Sequence, residues 1–124
     1  MKQPHPEGNW RELLHECVLF GLLFKAAMAD QQRFGALPLK LSYQLVLEEL
    51  SRWAERRHHQ LKRTLKQMGC ELLLSRKQGS TYVVQVRVRG YQREAIYSIE
   101  LLRAECQQQL NLWAKQREEV HYEP

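Results

Sequence analysis

The residues of this chain best equipped for chemistry are its histidines, cysteines and carboxylates, and their spacing limits what they can do. His58 and His59 are adjacent. Neighbours on a helix point about 100 degrees apart, so this pair cannot close on one metal ion. His5, His15 and His121 stand in no metal-ligand motif. Cys17, Cys70 and Cys106 are odd in number and widely separated, and they form no C-x-x-C cluster, so neither a disulfide framework nor a zinc ribbon is implied. They read as reduced thiols that fill the core. Any of them can be paired with a histidine on paper, but none sits in the local sequence of a cysteine enzyme. There is no G-x-S-x-G and no glycine-rich phosphate loop, and the acids are helix-surface glutamates apart from Asp30. The reading is a non-enzymatic protein with no metal and no cofactor.

Charge is more informative. Eleven Lys/Arg lie between Arg52 and Arg93 against only Glu55 and Glu71, a net of +9, whereas the whole chain of 124 residues carries +5. Arg52, Arg56, Arg63 and Lys66 recur at helical spacing along one stripe. Arg76 and Lys77 follow near the tip of a hairpin, and Arg87 and Arg89 sit on its second arm. Cations so arranged can neutralise successive backbone phosphates, which gives salt-dependent and largely sequence-independent affinity. The competing reading is a solvated helix face. It would be neutralised in part by Glu48-Arg52 and Glu55-His59 at i,i+4 and by the acidic segment from Glu94 onward.

The elements that must position these residues are legible from periodicity. Asn9 and Glu12 have capping-box spacing, and apolar residues then recur helically from Trp10 to Met28, predicting a first helix from about Trp10 to Arg33. Leu19, Phe20, Leu22 and Leu23 occupy its other faces. Such a helix must be covered all round, so it is either central to the core or half of a homodimer seam. Phe34 to Leu41 reads as a connection, and Ser42 as the cap of a second helix from about Tyr43 to Met68, stopped by Gly69. After Gly69 the period falls to 2. Cys70 to Ser75 and Tyr82 to Arg89 are expected to pair as antiparallel strands around a turn in RKQGS, burying Leu72, Leu74, Val84, Val86 and Val88. A short third strand is expected over Glu94 to Tyr97, with Ser98 capping a third helix that ends near Gln116.

The fold class is therefore α+β: two N-terminal helices, an antiparallel hairpin or three-stranded meander, and a C-terminal helix, all packed on one face. The domain spans 10–117, flanked by tails at 1–9 and 118–124. The most apolar run, Cys17 to Ala29, is too short for a bilayer and contains Lys25, and the N-terminus has no h-region, so no membrane is expected and the default compartment is the cytoplasm.

A basic helix followed by a hairpin with a basic tip, residues 42 to 90, resembles in outline the recognition helix and wing of winged-helix DNA-binding proteins. Element order carries that resemblance rather than a motif; the short tri-helical core of that family is missing, and the second helix is unusually long. The resemblance implies nucleic acid as the partner. The alternative is a homodimeric adaptor or regulator that docks an acidic protein on its basic face. Trp10, Trp53 and Trp113 all lie on apolar helical stripes, which assigns them to packing.

Overall fold

Apolar side chains at Leu50, Ala54, Leu61 and Leu65 recur along one face of a long segment whose other faces carry Arg, Lys and Gln, and that segment folds as a helix. The computed structural model describes the backbone of residues 6–35 and 43–121 and the side chains of 10–33 and 44–117. In chain order the elements are α1 (Pro6–Gly35), α2 (Tyr43–Gln67), β1 (Cys70–Gln78), β2 (Thr81–Val88), β3 (Tyr91–Ser98) and α3 (Ile99–His121). The strands form one antiparallel sheet in the order β1-β2-β3. This is the predicted α+β layout.

Local chemistry sets most of the boundaries. Gly69 ends α2 with φ at 81°, a conformation open to glycine, and its carbonyl then accepts the Arg89 amide at 2.9 Å, tying the helix end to the far turn of the sheet. Gly79 and Ser80 alone connect β1 to β2, so the turn is tighter and the strands longer than RKQGS predicted. Arg89 and Gly90 both take positive φ between β2 and β3, as a two-residue turn matched to strand twist requires. Ser98 Oγ accepts the Leu101 amide at 3.2 Å and caps α3 as expected.

Several expectations are corrected. α1 begins at Pro6, so Asn9 lies inside the helix rather than capping it; proline suits a first turn because its missing N–H would have had no partner there. α1 also continues to Gly35, and the rest of the expected connection, with Ser42, lies outside the described residues. β3 is eight residues long rather than four, since pairing with β2 along its whole length overrides weak local preference. α3 runs on to His121 beyond the predicted stop.

The largest correction is at Leu74. Leu72 pairs with Val86 but Leu74 pairs with Gln85, so one residue is bulged out between them. A bulge inverts the side-chain alternation downstream of it. Leu74 therefore leaves the core face and is 54% exposed, while Val84 and Val86 are fully buried as predicted.

The core forms between the helices and one face of the sheet. Leu14, Cys17, Leu65, Val84 and Val86 have essentially no accessible surface. α1 runs through the middle, with α2 packed along it and α3 touching it through Glu105 and Cys106. Val18, Leu19, Phe20 and Leu23 are all buried within the single chain. The chain's own elements thus cover much of this stretch of α1, while Leu22 and Phe24 are half-buried and Met28 is exposed.

Candidate functional site

Sheet register divides the eight sequence-selected cations. Arg52, Arg56, Arg63 and Lys66 are exposed along α2. Arg87 alternates with the buried Val86 and Val88, and Arg76 pairs across from Val83, so both lie on the sheet face turned away from the helices. Lys77 pairs across from Tyr82 and points to the helix-covered side. Arg89 sits in the β2–β3 turn, its stem against Gly69. The structure thus gathers the α2 stripe, turns Arg76 and Arg87 to another face, and leaves Arg89 beside the end of α2.

Ion pairs occur in both groups. Of the eleven cations between Arg52 and Arg93, only Arg52, Arg57 and Arg87 have an acidic partner among the described residues: Glu48, Glu16 and Glu71. Glu48–Arg52 forms as expected, whereas Glu55 and His59 make no ion pair. On α2, Arg56, Lys62, Arg63 and Lys66 have no acidic partner among the described residues, and Lys62 and Lys66 border a hollow of roughly 460 Å³ against the start of β1.

Tertiary packing adds groups that the sequence reading assigned to the core. Trp113 of α3 packs beside Trp53 of α2 with ring centroids 6.3 Å apart, and Trp53 meets Phe20 edge-on at 5.3 Å. Four residues beyond Trp113, Arg117 lies over its ring and bonds Glu49 at 2.7 Å. Together with Arg52, Arg56 and Gln116 these side chains line a cleft of roughly 470 Å³ between α2 and α3. At that point α3 brings another arginine to the basic stripe. The i,i+4 step from Trp113 to Arg117 was the available signal, but nothing local placed it opposite α2.

A second cluster lies where α1 crosses α2. His58 Nδ1 stands 2.8 Å from the Cys17 carbonyl. A carbonyl only accepts, so Nδ1 carries the proton and Nε2 the lone pair. Nε2 has no hydrogen-bond partner among the described residues. The ring borders a cavity of roughly 270 Å³ with Gly21, Lys25, Ser75 and Tyr82.

Cys17 Sγ is 3.5 Å from the same Nδ1, the closest approach of a thiol to an imidazole here. This is not a nucleophile and its base. Nδ1–H is committed to the carbonyl, and burial pushes the Cys17 thiol up to about 11, partly offset by Lys62. The thiol stays protonated at neutral pH. Burial also raises Cys70 and Cys106, and it lifts the Tyr97 phenol to about 12. Among the described residues no three His, Cys, Asp or Glu side chains could share a metal ion.

Residues 5–118 match the family described as YhjD protein. The chain belongs to that family. The match begins one residue before α1 and reaches into the last turns of α3, so the α1–α2 crossing, the basic stripe and the tryptophan cleft all lie inside the YhjD region. No curated protein and no solved structure matches the chain. Among the described residues no helix is long and apolar enough to cross a membrane.

The His58 cluster makes two predictions. An added Cβ at Gly21 would stand 2.9 Å from His58 Cε1 and 3.0 Å from Nδ1. Gly→Ala in a helix ordinarily gains about 1 kcal/mol. At Gly21 the expected outcome is a net loss of about 1 kcal/mol, because the ring must move off its bond to Cys17 and overpacking costs roughly 1–3 kcal/mol. With His58→Ala in place, Gly21→Ala should turn stabilising. Chemical denaturation of the four proteins of this double-mutant cycle measures the coupling, and additive effects would show that ring and glycine do not touch.

The second concerns pH. Burial holds His58 below its usual 6.5, with Cys17's carbonyl opposing and His59, Lys62 and Lys25 adding to the fall. The unfolded chain therefore binds the proton more readily than the native one. This contribution to stability is complete above about pH 6.5 and declines as pH drops through that value toward the native pKa. Melting temperature should fall on acidification from pH 7 to pH 5, and His58→Gln should flatten that part of the curve. An equally steep curve in the variant would move the effect to another group.

Proposed function

We propose that this protein binds nucleic acid through the exposed face of α2, with Trp53 and Trp113 supplying an aromatic surface at one end of the basic stripe. The observation that carries the reading is the cleft in which Arg52, Arg56 and Arg117 stand around two packed tryptophans, with Glu49, bonded to Arg117, also in its lining. It leads onto Arg63 and Lys66, which have no acidic partner among the described residues. Proteins that hold single strands combine cations tracking the phosphates with aromatic rings on which bases stack. On the sheet, Arg76 and Arg87 lie on the face turned away from the helices, apart from the α2 stripe and the two tryptophans, and Arg76 stands beside the apolar Val83 and Ile96. Arg76, Lys77 and Arg87 are accordingly left out of the proposed surface, and Lys62 and Arg117 join it.

Fluorescence anisotropy of a labelled 20-nucleotide strand and of the corresponding duplex, titrated between 50 and 200 mM salt, tests this. The expected result is a linear fall of log K with log salt, tighter binding of the single strand, and quenching of tryptophan emission on binding. Absence of binding at 50 mM salt would return the basic face to the alternative role, a dock for an acidic protein.

A further inference from the structure

On the far side of α1 from α2, a groove of roughly 330 Å³ opens between α1, the hairpin and α3. Its walls are Leu22 and Ala26 from α1, Tyr82 from β2, and Ile99, Leu102 and Cys106 from α3, with Lys77 of β1 and Arg103 of α3 as its charged members. The Cys106 thiol points away toward the Leu19 carbonyl at 3.7 Å, so the lining offers almost no uncharged polar group. Neither Lys77 nor Arg103 has an acidic partner among the described residues. The cavity beside His58 shares Leu22 and Tyr82 with this groove, which extends the apolar wall.

We infer that this groove is a binding site for a small amphipathic organic anion, a carboxylate carried on an apolar chain. Three features select that class. The volume lies at the small end of ligand pockets, about 300–1,000 Å³, which are mostly apolar with a few polar groups that fix orientation. The only charged residues at it, Lys77 and Arg103, have no acidic partner among the described residues, and because the lining is almost wholly apolar their heads stand at its mouth, where an acid at the end of a buried tail meets them. Their alkyl stems can lie along the apolar wall with the charged heads toward water, the placement that receives a headgroup at the end of a buried tail. A phosphate backbone fits poorly, because the lining has no row of donors to follow it. The site uses none of the α2 cations, so it stands independently of nucleic-acid binding.

Titration calorimetry of the full chain with decanoate tests the inference, with decanol as the same tail without charge and acetate as the charge without tail. One decanoate per chain is expected, decanol binding at least tenfold more weakly and acetate not at all. Lys77→Ala with Arg103→Ala should weaken decanoate about tenfold and leave decanol unchanged, as the loss of two partly exposed charge contacts implies. Ala26 is exposed on α1, so Ala26→Phe fills the groove from its rim without entering the core, and should abolish binding of both chains while leaving the melting temperature close to wild type. Arg56→Ala should leave decanoate unaffected. Equal affinity for decanoate and decanol, or decanoate binding that survives both the paired charge removal and Ala26→Phe, would overturn the site.

Discussion

Replacing Arg56 and Arg63 together with alanine is expected to weaken single-strand binding by roughly fifty- to a hundredfold at 50 mM salt and by little near 1 M. Each phosphate neutralised on a single strand contributes about 0.7 to the slope of log K against log salt, so two lost contacts lower the slope by about 1.4. Across a twentyfold change in salt that difference amounts to the stated loss. The two arginines are two turns apart on one face of α2, exposed and without ion pairs among the described residues, so their removal should change stability by no more than about 0.5 kcal/mol. The informative comparison is Arg76→Ala with Arg87→Ala, which removes the same charge from the sheet face turned away from the helices. That pair should leave the slope nearly unaltered. Equal losses from both pairs would mean that net charge, and not the α2 surface, governs binding; an unchanged slope in Arg56→Ala with Arg63→Ala would end the nucleic-acid reading.

Leu65→Ala should destabilise the protein by about 2–5 kcal/mol, and Leu74→Ser by no more than about 0.5 kcal/mol, although both are leucines on regular elements. Leu65 is fully buried in the cluster that joins α2 to α1 and the sheet, so truncation removes its transfer free energy and leaves a cavity. A domain of this size is stable by only about 5–15 kcal/mol, so the upper end approaches unfolding. Leu74 is more than half exposed because of the bulge after Leu72. Urea denaturation distinguishes the outcomes. A loss above about 2 kcal/mol for Leu74→Ser would mean the strand keeps simple alternation and buries that leucine, and the assignment of Arg76 and Lys77 to their faces would fall with it.

The amphipathic stripe of α2, its stop at Gly69, the two strands around Gly79 and the cap at Ser98 were all legible in the sequence. Each is encoded among residues within about four positions of one another, where helical or strand period and backbone conformation act directly. The basic block could be counted from the same text. What only the tertiary structure decided is which of its cations share a surface. A single bulged residue reassigns Leu74, Arg76 and Lys77 between faces, and whether a strand bulges depends on register with its partner, which periodicity does not fix. Contacts across the chain were equally hidden. His58 meets Cys17 from 41 residues away, and Arg117 meets Glu49 from 68. The apolar circumference of α1 reads the same whether another chain or its own α2, α3 and sheet cover it. Burial is satisfied by any apolar neighbour, so the sequence determined that α1 must be covered and only packing determined by what.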